Sequence, residues 1–213
     1  MTNLRSYALA AALVLGLAAC AEQAADTPED AATDAAPLAQ GTWALDPAGS
    51  RLSYVSIKAG EVAEANRFDT LSGTVAEDGT ASLDIDLASV NTGVDIRNER
   101  MREIFFGVAE NPKATVTAKL DPAAFAGLAV GQSLVRPLKA TVSLKGATGD
   151  VETEVLVTRV SADRVTVVPT APVIVTTDMF GLTDELGELR ALAQLPSITP
   201  AVPVTFSLSF TRS

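Results

Sequence analysis

Residues 81–112 read ASLDIDLASVNTGVDIRNERMREIFFGVAENP. Ala81, Leu83, Ile85 and Leu87 alternate with Ser82, Asp84 and Asp86, the period of two of a half-buried strand with its acids toward water. Asn91-Thr92-Gly93 then has turn composition. Beyond it, Val94, Met101, Ile104, Phe105 and Val108 recur at helical spacing, with Arg97, Glu99, Arg100, Arg102 and Glu103 on the other side. The block therefore predicts a strand, a turn and an amphipathic helix over 94–108 that stops before Pro112.

Outward from this block the chain is a run of short alternating segments. Leu52 to Lys58, Arg67 to Val75, Ala114 to Leu120 and Ser133 to Lys145 read as strands. Gly73 marks a bend or bulge in the second of these. Glu77-Asp78-Gly79 is a hairpin turn. Residues 123–128 form a loop or short helical turn ending at Gly131. Asp150 to Val160, Arg164 to Val168, Val173 to Thr177 and Val202 to Phe210 complete the strands, and a short helix fits Thr183 to Ala193. Eight or nine strands without a βαβ rhythm predict a mainly β protein, an antiparallel barrel or sandwich. Periodicity leaves those two open.

The motifs and their order carry a resemblance. The strand–turn–helix block ending in Phe105-Phe106, the opening Trp43-Ala44-Leu45-Asp46-Pro47-Ala48-Gly49-Ser50, and Phe180-Gly181-Leu182 before the last strand resemble the YceI-like lipid/polyisoprenoid-binding family. The resemblance spans about 41–213. It implies a lipocalin-like antiparallel β-barrel of about eight strands with one or two short helices, enclosing an elongated isoprenoid or other long-chain lipid. Many members carry histidines where this chain has Lys58-Ala59-Gly60 and Arg100.

The N-terminus predicts the compartment. Arg5 and the apolar run Tyr7 to Leu17 are too short to span a bilayer and read as a secretory signal. Leu17-Ala18-Ala19-Cys20 resembles a bacterial lipobox, which implies cleavage after residue 19 and acylation of Cys20. Residues 20–41 hold five acids and no Lys or Arg, the composition of a disordered acidic tether. The expected organisation is thus a signal peptide (1–19), a tether (20–41) and a barrel domain (42–213). The expected location is the periplasm, anchored by acyl chains to the outer membrane.

Of 16 basic and 26 acidic residues, Arg5 and the five tether acids precede Thr42, leaving 15 against 21 in the domain. That balance argues against nucleic acid as a partner. It leaves a homodimer open. The chain has no histidine and a single cysteine, so Ser-His-Asp, Cys-His and histidine-ligated metal sites cannot be assembled. Asp84/Asp86 and Glu152/Glu154 lie on polar strand faces and read as solvated charge. The expectation is a binding protein without catalysis, metal or cofactor.

Two sets of side chains are candidates for the ligand site. Tyr54, Phe68, Met101, Phe105, Val116, Val142, Phe180 and Phe206 face inward and would line a tunnel or fill a core. Small Ala, Val and Thr side chains dominate the interior, which favours a tunnel, with the 94–108 helix as its lid. Arg97 and Arg100 are candidate contacts for an anionic lipid headgroup, or else partners of Asp95, Glu99 and Glu103 along the helix face. The rival reading is a solid-cored barrel that serves as a protein-interaction module in the envelope.

Overall fold

The computed structural model describes Leu38 and residues 41–213. The expected signal peptide, Cys20 and nearly all of the expected tether lie outside the described residues. Twelve strands are present among the described residues: β1 (Trp43–Leu45), β2 (Arg51–Lys58), β3 (Val62–Phe68), β4 (Leu71–Val75), β5 (Thr80–Asp86), β6 (Val90–Asn91), β7 (Lys113–Lys119), β8 (Ser133–Leu144), β9 (Ala147–Ser161), β10 (Arg164–Pro169), β11 (Val173–Thr176) and β12 (Ala201–Arg212). Two α-helices accompany them, α1 (Asp95–Arg100) and α2 (Thr183–Leu192).

Several of these strands are halves of longer rods. β1 and β2 lie in sequence along the same side of β12, with Trp43 opposite Arg212 and Tyr54 opposite Val204. β3 and β4 continue each other in the same way, as do β5 with β6 and β10 with β11. Each rod pairs antiparallel with the next in sequence, and β12 returns to β1. The outcome is a closed, eight-stranded, up-and-down barrel, which leaves no edge along most of its wall. It is the barrel, not the sandwich.

The break between β1 and β2 is tied locally. Asp46 accepts from the Ala48 amide at 3.1 Å and pairs with Arg164 on β10 at 2.9 Å. Ser50 Oγ accepts from the Ser209 amide at 3.0 Å. A side chain at Gly49 would meet Asp46 and Ser209 at 2.9–3.0 Å. The opening motif therefore bends one rod without opening the barrel.

Two local expectations are corrected. The register of β4 against β5 runs unbroken through Gly73, so no bulge lies there. Gly73 is required by close approach: a Cβ would stand 2.6 Å from the Ser82 carbonyl oxygen. Gly73→Ala should therefore cost about 1–3 kcal/mol, read as a lower urea midpoint at unchanged m-value. The helix expected over 94–108 is α-helical only to Arg100, then widens into a π-helical turn, Met101–Phe106. Gly107, at φ 58°, ends it in the left-handed region.

Candidate functional site

Few side chains are fully enclosed. Only Leu87 and Leu128 among the described residues fall below 2% exposure. Inward-facing Leu83, Val116 and Phe206 are only partly buried. Their free surface faces a cavity of about 1370 Å³ that runs within the barrel. Roughly 300–1,000 Å³ is usual for a drug-sized ligand, so this lumen is long enough for something larger. It is hollow because its wall is built from small residues: Ala114, Val116 and Ala118 from β7, and Ala140 and Val142 from β8, all border it. The interior is not solid.

The lumen has a polar wall on β2 and β3. Tyr54 pairs with Asn66 and Ser56 with Glu64 across this ladder, and all four border the cavity. Asn66 is only 3% exposed. Its Nδ2 donates to Ser56 Oγ at 3.0 Å and to the Glu64 backbone oxygen at 3.1 Å. Its Oδ1 is buried with no partner among the described residues. The Thr177 hydroxyl, also in the cavity wall, is the other such oxygen. Burial pushes the Tyr54 phenol well up against a small opposing effect of Arg97, so it stays protonated.

Two helical segments border the lumen, and the barrel holds both. Arg97 of α1 makes a two-pronged bond to Glu64, at 2.5 and 3.3 Å, and Lys58 reaches the same carboxylate at 2.7 Å. The Lys58 hydrogen bond, with help from Arg97 and against partial burial, holds the Glu64 carboxyl below its usual range. An aromatic chain joins the π-turn to the wall. Tyr54 and Phe68 stand 5.8 Å apart, Phe68 and Phe106 5.9 Å, and Phe105 meets Phe106 edge-on at 5.1 Å. Lys145, in the β8–β9 turn, ties α2 down through Glu185 at 2.7 Å.

Each residue proposed from the sequence can now be placed. Tyr54, Phe68, Met101 and Phe105 border the lumen beside β2, β3 and the π-turn. Val116, Val142, Phe180 and Phe206 border it from β7, β8, the short turn before Gly181, and β12. Arg97 and Arg100 border it as well, but Arg97 is bound to Glu64 rather than to Asp95, Glu99 or Glu103. Arg100 points to the Leu192 carbonyl at 3.5 Å. Asp84 and Glu152 are outside the lumen, paired with Lys113 and Lys139. Sequence reasoning missed Ser56, Glu64 and Asn66, and it missed Leu182, Leu186 and Leu189 around α2, which also border the cavity. The last three sit at i, i+4 and i+7, a helical spacing that pointed to an apolar face.

Comparison with solved structures agrees with this architecture. A polyisoprenoid binding domain from Saccharophagus degradans, implicated in plant cell wall breakdown, is 42% identical, with a TM-score of 0.78. The alignment covers 80% of this chain and 98% of that one. BcnA of Burkholderia cenocepacia shares the fold at 21% identity, a TM-score of 0.60, and coverage of 78% and 98%. A mutant CJ YCEI protein shares it at 13% identity, a TM-score of 0.51, and coverage of 70% and 84%. No curated protein is significantly similar to the chain. The family model for the YceI-like domain matches residues 43–210, nearly the whole barrel, and the chain belongs to the YceI-like family.

Proposed function

We propose that the protein binds an elongated isoprenoid-type or other long-chain lipid inside its barrel and works by sequestration, not catalysis. The observation that carries this reading is the apolar lumen of about 1370 Å³ in an otherwise well-formed barrel. An unfilled cavity of that size forfeits packing on every side, whereas each methylene moved into it from water gains about 0.8 kcal/mol. Some ten buried methylenes thus outweigh the cost of ordering the chain. The described polyisoprenoid-binding relative supports the same ligand class. Native mass spectrometry of the purified protein, followed by solvent extraction, tests it. A stoichiometric adduct released as a polyprenyl or similar lipid is expected. A clean apo mass with no uptake of added isoprenoids would overturn the reading and favour the protein-interaction module.

The same proposal places the barrel on a membrane. Cys20 follows Leu17-Ala18-Ala19, and Ala21 rather than Asp follows Cys20, an order that resembles an outer-membrane lipoprotein signal. More than one acyl chain gives stable anchoring where a single chain is marginal. Cys20→Ser should therefore move the protein from the outer-membrane fraction to the soluble or uncleaved fraction. Unchanged fractionation would remove the anchor from the proposal.

A further inference from the structure

The polar wall on β2 and β3 has a hydrogen-bonding pattern of its own, and it differs from that of an anion site. Asn66 Nδ2 faces two acceptors, Ser56 Oγ and the Glu64 carbonyl. The carbonyl oxygen cannot donate, so the amide's orientation is fixed and Oδ1 is the end left over. That oxygen is a buried acceptor without a partner among the described residues, on a residue that borders the lumen. Buried acceptors are nearly always satisfied. Something that donates belongs beside it.

Its neighbours have the opposite need. Ser56 Oγ accepts from Asn66, which leaves the serine hydrogen free to be given. Tyr54, paired with Asn66 across the ladder and also bordering the lumen, carries a further donor in its phenol. Glu64 already engages Lys58 and Arg97, and Arg100, which also borders the lumen, donates to the Leu192 carbonyl. The wall therefore carries one unpartnered acceptor and two hydroxyl donors.

We infer that the head of the bound lipid is an uncharged hydroxyl, seated among Tyr54, Ser56 and Asn66. A hydroxyl gives one hydrogen and accepts others, so it meets all three groups. A carboxylate or a fully ionised phosphate has only acceptors to offer. It would leave Asn66 Oδ1 unsatisfied and stand near the Glu64 carboxylate. A hydrocarbon end would satisfy none of the three. This inference rests on the lipid-binding reading above and adds the chemistry of the head.

The test compares three probes of one chain length on the full-length protein after delipidation: geranylgeraniol, geranylgeranyl phosphate and the corresponding hydrocarbon. The alcohol is expected to bind about tenfold more tightly than either of the others. Asn66→Leu should abolish that preference, bringing the ratio of alcohol to hydrocarbon affinity to about one. Tyr54→Phe keeps the ring and removes only the phenol oxygen, so it serves if the Asn66 variant does not fold; it should lower the ratio of alcohol to hydrocarbon affinity several-fold. Equal affinity for alcohol and hydrocarbon would overturn the inference, with water as the partner of Oδ1, and leave lipid binding standing. Tighter binding of the phosphate would overturn it in favour of an anionic head. Uptake of none of the three would overturn lipid binding and this inference together.

Discussion

Val142→Trp is expected to empty the barrel of lipid while leaving it folded. Val142 lies near the C-terminal end of β8, opposite Val116 on β7, and borders the lumen. In a packed core a change of this size strains the structure by about 1–3 kcal/mol or more. Here the indole enters space that no side chain occupies. A ring that displaces about five methylenes of a ligand removes about 4 kcal/mol of burial, close to a thousandfold in affinity. Lipid recovered by extraction should fall below about a tenth of the wild-type amount on this arithmetic, with a thermal midpoint within a few degrees. Ser143→Trp is the control, since Ser143 is exposed on the outer face. Full lipid occupancy in Val142→Trp would mean that the ligand does not pass this point.

The same lumen explains what was legible in the sequence. Where the inner face is apolar and the outer face polar, as on β7, β8 and β12, alternation gives the strand and its orientation together. β3 fails that test for a physical reason. Its inward residues Glu64 and Asn66 are polar, and outward Ala63 and Ala65 are apolar and exposed, so Val62 to Asn66 carries no inward hydrophobic stripe. β3, which alternation does not reveal, is one of the two strands that build the polar wall. Arg97 shows a related limit. It stands out in its helix, but Glu64 lies 33 positions away, and only barrel closure brings the two together. The π-turn over Met101–Phe106 left no mark, because its apolar residues fit α spacing equally well. Gly73 was visible as a glycine, but the backbone it accommodates belongs to the neighbouring strand.

Glu64→Gln/Glu185→Gln should loosen both helical segments at once and lower the thermal midpoint by about 5–10 °C. Glu64 holds α1 through Arg97, and Glu185 holds α2 through Lys145, which also reaches the Phe105 carbonyl at 3.5 Å. The four side chains of these two pairs keep 21–30% exposure. They fall between exposed pairs, at about 0–1 kcal/mol, and fully buried ones, where losing a partner costs about 3–5. About 1–2 kcal/mol per clamp follows. Both carboxyls sit below their usual value of 4.5, Glu64 chiefly through the Lys58 hydrogen bond and Glu185 through that of Lys145. A depressed carboxyl contributes stability that is present above its unfolded value and lost as pH falls through its folded one. Asp84, paired with Lys113, and Asp78, held at about 2 chiefly by Lys119, act in the same direction. With no histidine in the chain, the midpoint should be level from about pH 5.5 to 9 and fall below about 4.5. Thermal melts of wild type and the double variant across that range decide the matter. The variant should start lower and fall less steeply in acid, and lipid should leave it faster at neutral pH, because the segments that border the lumen are no longer tied to its wall. Parallel curves would assign the acid limb to Asp78, Asp84 and the other surface carboxylates instead.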